Sequence, residues 1–470
     1  MKKFNIRKGN FIKDNNTTYN LMYSIVLVLI PLIIFSIYKN GIYPTIKGEG
    51  SLYLVFKPLI FILISSVLGT LVEYIYYKIK KKDKTVLSLL VEDYSIIPGI
   101  FISLVIPINT PIWLLAVGSI ISSLSKVVMG GIGKNRLNPA LVGAFFIIII
   151  FQSYTGGYLN PYELDTVSSA TPLTNVTASG YVITYDNLVK PYGSLLNFFI
   201  GNIPGAVGET SSLLCILAFI YLTYKKVIKY RITISYILTV AVMSLIICLT
   251  KDIGLWFILF NILSGGLLFG AVFMATDPVT SPITNRGQVL GGIFLGVSTL
   301  IIRYLTPLPE GVLVSILLFN ILTIVINYLD IKLYDKKICQ DIILIIFLVL
   351  VVLLSFMIST KLSTKPLDDT YKIISKVKEG DITTYEVSGK GYAGNNSIKL
   401  KIVFKDKDIT SIEVLRSDET YTKMIYDNDY LTKLKDNSKY LDNLDTISGC
   451  TYTSRYLKDI VSKTINDYNS

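Results

Sequence analysis

The 470-residue chain contains no histidine and only four cysteines. Without histidine, a histidine-ligated haem and proton transfer through imidazole are excluded. Cys215, Cys248, Cys339 and Cys450 are widely separated, with no Cys-x-x-Cys pair. That spacing makes neither an iron–sulfur nor a zinc site and sets up no disulfide framework. Charge is also scarce. Charged residues make up 17% of the chain and hydrophobic residues 51%, whereas an ordinary soluble domain carries about 25% charged residues.

The deficit is uneven. Up to about Ser359 the sequence is a series of long apolar runs; from Thr360 to Ser470 it has the composition of a soluble domain. The expected fold is a polytopic α-helical membrane protein with a small α+β C-terminal domain. Three units are expected: a membrane domain over 1–330, a linker and final helix over 331–360, and the small domain over 361–470. The net charge of +12 does not imply nucleic acid. The region after Thr360 is almost neutral, and the excess cations lie mostly in membrane loops, where they report orientation.

A spanning helix needs about 20 mostly apolar residues. Eleven candidates stand out: Leu21–Tyr38, Leu52–Tyr77, Ile96–Ile106, Ile112–Val128, Pro139–Phe151, Leu213–Tyr224, Ile232–Leu249, Trp256–Ala275, Val289–Tyr304, Val312–Tyr328 and Ile342–Ile358. Some are short or interrupted, as at Pro98, Gly99 and Pro107, which suits only a protein-lined interior. The first run lacks a small-residue cleavage site and reads as a retained helix. With the N-terminus in the cytoplasm, 21 basic residues of the membrane part fall in inner segments and six (Lys39, Lys47, Lys57, Lys190, Lys251 and Arg303) in outer segments or their borders. This asymmetry places the loop at about 154–207 and the whole C-terminal domain outside a bacterial cell membrane. In the tail, Thr383–Val387, Ile398–Phe404 and Ile409–Val414 read as strands. Turn signals stand at 389–391 and 405–408, with a helix over Tyr456–Asn466.

Both outer regions carry one short pattern. Residues 165–171 are Asp-Thr-Val-Ser-Ser-Ala-Thr; residues 445–451 are Asp-Thr-Ile-Ser-Gly-Cys-Thr. Their surroundings are unrelated, so the pattern reads as a recognition signal installed twice. A single copy would read equally well as a loop or helix cap. A threonine hydroxyl in an exposed loop, flanked by small residues, suits modification by an external enzyme. No base stands beside either threonine within the pattern, so a modified acceptor fits better than a catalytic nucleophile.

The pattern resembles the FMN-attachment signal used by flavin transferases, in which the last threonine is esterified by the FMN phosphate. The membrane part resembles the D subunit of Rnf-type electron-transport complexes and is similar to the B subunit of sodium-translocating NADH:quinone reductases. The residues carrying this likeness are 130–140 (Gly-Gly-Ile-Gly-Lys-Asn-Arg-Leu-Asn-Pro-Ala), 208–211 (Gly-Glu-Thr-Ser), Ser264-Gly265-Gly266 and 273–282 (Phe-Met-Ala-Thr-Asp-Pro-Val-Thr-Ser-Pro). The tail resembles the FMN-binding domain of the Rnf G subunit through 389–394 (Gly-Lys-Gly-Tyr-Ala-Gly), Glu419-Thr420 and 448–454 (Ser-Gly-Cys-Thr-Tyr-Thr-Ser), with Ile342–Ile358 as its preceding helix. The chain thus resembles a fusion of the two subunits. Ser169 stands where the signal usually has Gly, Cys450 where it has Ala, and the Pro-Gly-Leu-Gly expected after Glu419-Thr420 is missing.

The resemblance implies two covalent FMN groups, on Thr171 and Thr451, with Asp165, Ser168, Asp445, Ser448 and Gly449 forming the signals. It leaves room for a riboflavin or quinone in the membrane part. It implies a non-catalytic electron relay in an ion-translocating ferredoxin:NAD oxidoreductase, activity residing in the assembled complex. Implied partners are Rnf-like membrane and iron–sulfur subunits, a flavin transferase and membrane lipid. Among carboxylates near membrane depth (Glu73, Glu92, Asp93, Glu209 and Asp277), Asp277 and Glu209 are the leading candidates for an ion-linked or structural role. Gly130–Gly133 follows a membrane helix and reads as a packing turn rather than a nucleotide fingerprint. Two other functions fit the composition: an extracellular electron-export flavoprotein without ion pumping, and a secondary transporter with an outer ligand-binding domain.

Overall fold

The computed structural model describes residues 17–47, 51–82, 84–155, 158–159, 171–306, 308, 310–333, 336–364, 371–391, 394–405, 408–417, 422–438, 441 and 451–469. Six of its helices are long and apolar enough to cross a membrane: α1 (Thr18–Ile37, extended by further turns to Ile46), α2 (Leu52–Ile79), and four discussed below. Next come three shorter apolar helices, α3 (Ile96–Val105), α4 (Ile112–Val128) and α5 (Pro139–Phe145, prolonged by a π turn to Ile150). Short helices fill the loop that follows, among them α6 (Pro172–Ala178). Then follow α7 (Ser212–Tyr224), α8 (Tyr230–Lys251), the pair α9 (Trp256–Leu263) and α10 (Leu267–Phe269, continued as a π turn to Met274), α11 (Asn285–Leu305), α12 (Val312–Lys332) and α13 (Lys337–Lys361). Each expected apolar segment coincides with one of these helices or helix pairs.

The main interruption differs from expectation. Pro98 and Gly99 lie inside α3, because proline is tolerated in a helix's first turn. The chain instead breaks at Gly265 and Gly266, with φ of +63° and +64°, and α9 and α10 meet at a 59° bend. Left-handed backbone of that kind favours glycine.

Between helices in lipid, packing and interhelical hydrogen bonds replace the hydrophobic drive. On α11, Gly292 and Gly296 face Ser235 and Thr239 of α8. A Cβ at Gly292 would stand 2.7 Å from the Ile232 carbonyl oxygen, and one at Gly296 2.6 Å from Thr239 Cβ. Gly99 is equally tight against the backbone of Ser65 and Ser66. The same α2–α3 seam is laced by the Ser65 hydroxyl, which donates to the Gly99 carbonyl at 2.8 Å. Gly130, Gly131 and Gly133 all have positive φ, and Gly131 packs on the Tyr77 hydroxyl. The expected packing turn is therefore present.

The tail has its own core. Strands β1 (Lys372–Glu379), β2 (Ile382–Gly391), β3 (Gly394–Lys405) and β4 (Asp408–Ser417) form an antiparallel meander in sequence order. Alternate residues Tyr385 and Val387 on β2, and Ile398, Leu400, Ile402 and Phe404 on β3, are buried, as a half-covered sheet requires. They pack beneath α14 (Thr422–Asp427), α15 (Tyr430–Asp436) and α16 (Thr451–Asn469). Strand β1 was absent from the sequence expectation, since Ile373, Ile374 and Val377 on this edge strand remain exposed and give no clean alternation. The 389–391 signal is not a turn either: β2 runs through it and pairs Gly391 with Gly394. Gly389 there admits α16, as a Cβ would lie 2.4 Å from Ile460.

Loop and tail meet at one seam. The Ile183 N–H donates to the Ser363 carbonyl at 2.8 Å, and the Ser363 N–H to that of Tyr181 at 3.0 Å.

Candidate functional site

Thr171 is the N-cap of α6. Extended backbone before Pro172, which occupies the first helical position, leaves its hydroxyl free to accept from the Thr174 N–H at 3.2 Å. Its Oγ1 also lies 2.8 Å from the Thr174 hydroxyl, and the side chain stands near the Glu310 carboxylate. The exposed hydroxyl expected from the loop composition is therefore corrected: Thr171 is 2% exposed, because this segment folds back over the membrane core. Tyr158 donates to Glu310 Oε2 at 3.0 Å. Burial, and then the Glu310 charge, hold the Tyr158 phenol well above its usual pKa, keeping it a proton donor.

Beneath Thr171 lies the break between α9 and α10. A Cβ at Gly265 would meet Leu173 of α6 at 2.3 Å and Arg303 Nη2 at 3.1 Å; one at Gly266 would meet Glu209 Oε2 at 2.4 Å. The two glycines thus let α6, α11 and the loop before α7 converge. Arg303 donates to the Asn261 carbonyl at 2.7 Å and to that of Ser264 at 2.9 Å, capping the broken end of α9 where helix carbonyls lack partners. Glu209 belongs to the Gly208-Glu209-Thr210-Ser211 run. The Lys39 ammonium donates to Thr210 Oγ1 at 3.0 Å, and Ser211 caps α7. Two cations (Lys39 and Arg303) and two carboxylates (Glu209 and Glu310) thus lie in the same region, close enough to act on one another electrostatically. Both carboxylates line a small cavity of about 30 Å³ with Gly265, Gly266, Phe269 and Gly270, room for about one water-sized species.

Sequence reasoning missed Glu310, Tyr158, Lys39 and Arg303. It counted the last two as outer-border charges, yet Lys39 is 0% and Arg303 2% exposed. Their apolar neighbours in sequence were the available signal, since an isolated cation in such a run needs a partner. Lys126, counted as an inner charge, is likewise buried, 2.8 Å from Glu73.

Asp277 is not brought to Glu209, as it follows the far end of the α10 segment. Its Oδ1 accepts from the Val279 N–H at 3.2 Å and its Oδ2 from the Thr280 hydroxyl at 3.3 Å, the pattern of a side chain fixing a turn. Thr451 opens α16. Asp165, Ser168, Asp445, Ser448 and Gly449 lie outside the described residues.

The fold is that of a polytopic membrane protein whose broken helix pair meets the loop that carries Thr171, joined to a small sheet domain. Residues 5–335 match the NQR2, RnfD, RnfE family, and residues 391–466 match the FMN-binding domain. The chain belongs to the NQR2, RnfD, RnfE family and carries an FMN-binding domain behind it. Among its relatives is the D subunit of the proton-translocating ferredoxin:NAD(+) oxidoreductase complex of Clostridium ljungdahlii, 30% identical over 69% of this chain and 93% of that protein. The D subunit of the Na(+)-translocating ferredoxin:NAD(+) oxidoreductase complex of Acetobacterium woodii is 31% identical over 66% and 89%. The B subunit of the Na(+)-translocating NADH-quinone reductase of Klebsiella pneumoniae is 30% identical over 54% and 64%.

Proposed function

We propose that the chain is the flavin-carrying subunit of an ion-translocating ferredoxin:NAD oxidoreductase. It relays electrons through FMN groups held by phosphoester bonds on Thr171 and Thr451, both on the outer face. Bound FMN supplies one- and two-electron chemistry. The chain's residues supply anchorage, position and polarity. Residues 1–330 act as the membrane part, 331–360 as the connecting helix and 361–470 as the second flavin carrier. Activity belongs to the complex, with iron–sulfur and membrane subunits as partners and a flavin transferase for maturation.

One observation carries this reading. The same seven-residue pattern ends at Thr171 and at Thr451, and the second copy lies within the segment that matches the FMN-binding domain. The seam between Ile183 and Ser363 supports a common side for both. The 30 Å³ cavity lined by Glu209 and Glu310 is far too small for an isoalloxazine ring, so a flavin on Thr171 would extend away from it. Glu209, with Glu310 across the same cavity, is the ion-linked candidate; the turn-fixing contacts of Asp277 favour its structural role.

Mass spectrometry of the protein purified from a host with a competent flavin transferase tests this. An FMN-sized adduct is expected on each of two peptides, one spanning Thr171 and one Thr451. Thr171→Ala and Thr451→Ala should each remove one adduct. Two unmodified wild-type peptides would overturn the proposal.

A further inference from the structure

At the opposite end of the membrane part, α13 packs against α8 and α11 but hardly touches α12. The gap is a cavity of about 420 Å³, its wall formed by apolar residues such as Leu322, Ile326, Leu344 and Phe347. Its mouth carries Arg231 and Arg286 together with Asp330 and Asp341. A more open cavity of about 920 Å³ adjoins it, shares Arg286 and Asp330, and adds Lys336 and Lys337. Cations outnumber carboxylates by four to two across these linings. Asp330 is already engaged by the Thr284 hydroxyl. Among the described residues, neither Arg231 nor Arg286 forms an ion pair.

We infer that this cleft binds an anionic phospholipid, with its phosphate on Arg231 and Arg286 and its acyl chains along the apolar wall between α12 and α13. Guanidinium groups match a phosphate's paired oxygens, and basic pockets between membrane helices take up anionic lipid headgroups. A free phosphate would leave the apolar wall uncovered, and a neutral quinone would leave both guanidinium groups without an ion-pair partner. The lipid fills the wedge beside α13, the helix that leads to the tail. The inference is independent of the flavin assignment.

Native mass spectrometry of the full-length protein, equilibrated with vesicles of phosphatidylglycerol or of phosphatidylcholine, provides the test. Retention of phosphatidylglycerol in preference to phosphatidylcholine is expected. The Arg231→Gln/Arg286→Gln variant should retain it roughly 30-fold more weakly, given the contribution of each basic residue near an anionic headgroup. Leu344→Trp, which fills the cleft without changing charge, should also expel it. If the double variant does not fold, Arg286→Gln at an exposed position and Leu344→Trp carry the test. Equal retention of both lipids, retention unchanged in the variants, or displacement by inorganic phosphate alone would each overturn the inference.

Discussion

The backbone of Ser363 pairs with that of Tyr181 and Ile183, two residues that lie just beyond α6. A short parallel bridge thus joins the loop that follows Thr171 to the exit of the last membrane helix, and Lys361 adds a cation–π contact, 5.3 Å from the centre of the Tyr181 ring. Whichever side of the membrane holds one of these segments holds the other.

Sidedness can be read with thiols. Asp186 is exposed in the loop after α6, and Cys339 is exposed near the start of α13, one membrane crossing before Ser363. In intact cells a membrane-impermeant maleimide should label Asp186→Cys. Cys339 should react only after permeabilisation. The reverse pattern would place Thr171 and Thr451 in the cytosol and overturn the proposed outer-face arrangement.

Lys126 is enclosed between the Glu73 carboxylate at 2.8 Å and the Asp93 carbonyl at 2.7 Å. Lys126→Ala strands a buried carboxylate, at a cost of about 3–5 kcal/mol. The Glu73→Leu/Lys126→Met double variant should recover most of that. Thermal unfolding in detergent, followed by gel filtration, should show the single variant well below the double.

Gly266 governs Glu209. With φ of +64° and Glu209 Oε2 at 2.4 Å from any added Cβ, Gly266→Ala both strains the backbone, by about 1 kcal/mol, and displaces the carboxylate. Ion transport by the assembled complex should fall at least tenfold while FMN on Thr451 is unchanged. Gly133→Ala has similar strain but open space around it, so transport should survive.

The tail offers a local control. Gly389→Val drives a side chain into Ile460 and should lift α16, removing FMN from Thr451 but not from Thr171, as read by peptide mass. Lys376→Ala at the exposed contact with Asp467, 3.2 Å away, should change little near neutral pH. The Tyr385 hydroxyl, then the Asp467 carboxylate, hold the Lys376 ammonium above its ordinary pKa. Its contribution is therefore present at neutral pH and lost as pH rises past about 10.5. Denaturant titrations at pH 7 and 11 compare the two.

Segments were legible in the sequence because hydropathy and alternation are local properties. The spans of α1, α2, α8 and α11 emerge from apolar runs, and β3 from Ile398, Leu400, Ile402 and Phe404. Strand β1 escaped because an edge strand need not bury one face. Thr171 was legible as an acceptor candidate from its repeated pattern, but not as a buried N-cap, since its cover comes from elsewhere in the chain.

By itself, then, the sequence determined a membrane part, a soluble tail, the two threonine signals and the carboxylate Glu209. Tertiary structure alone decided that Lys39, Glu209, Arg303 and Glu310 come together near Thr171. Those residues are hundreds of positions apart at the extremes, and the bend at Gly265 and Gly266 leaves the room in which Arg303 and Glu209 approach the same stretch of backbone.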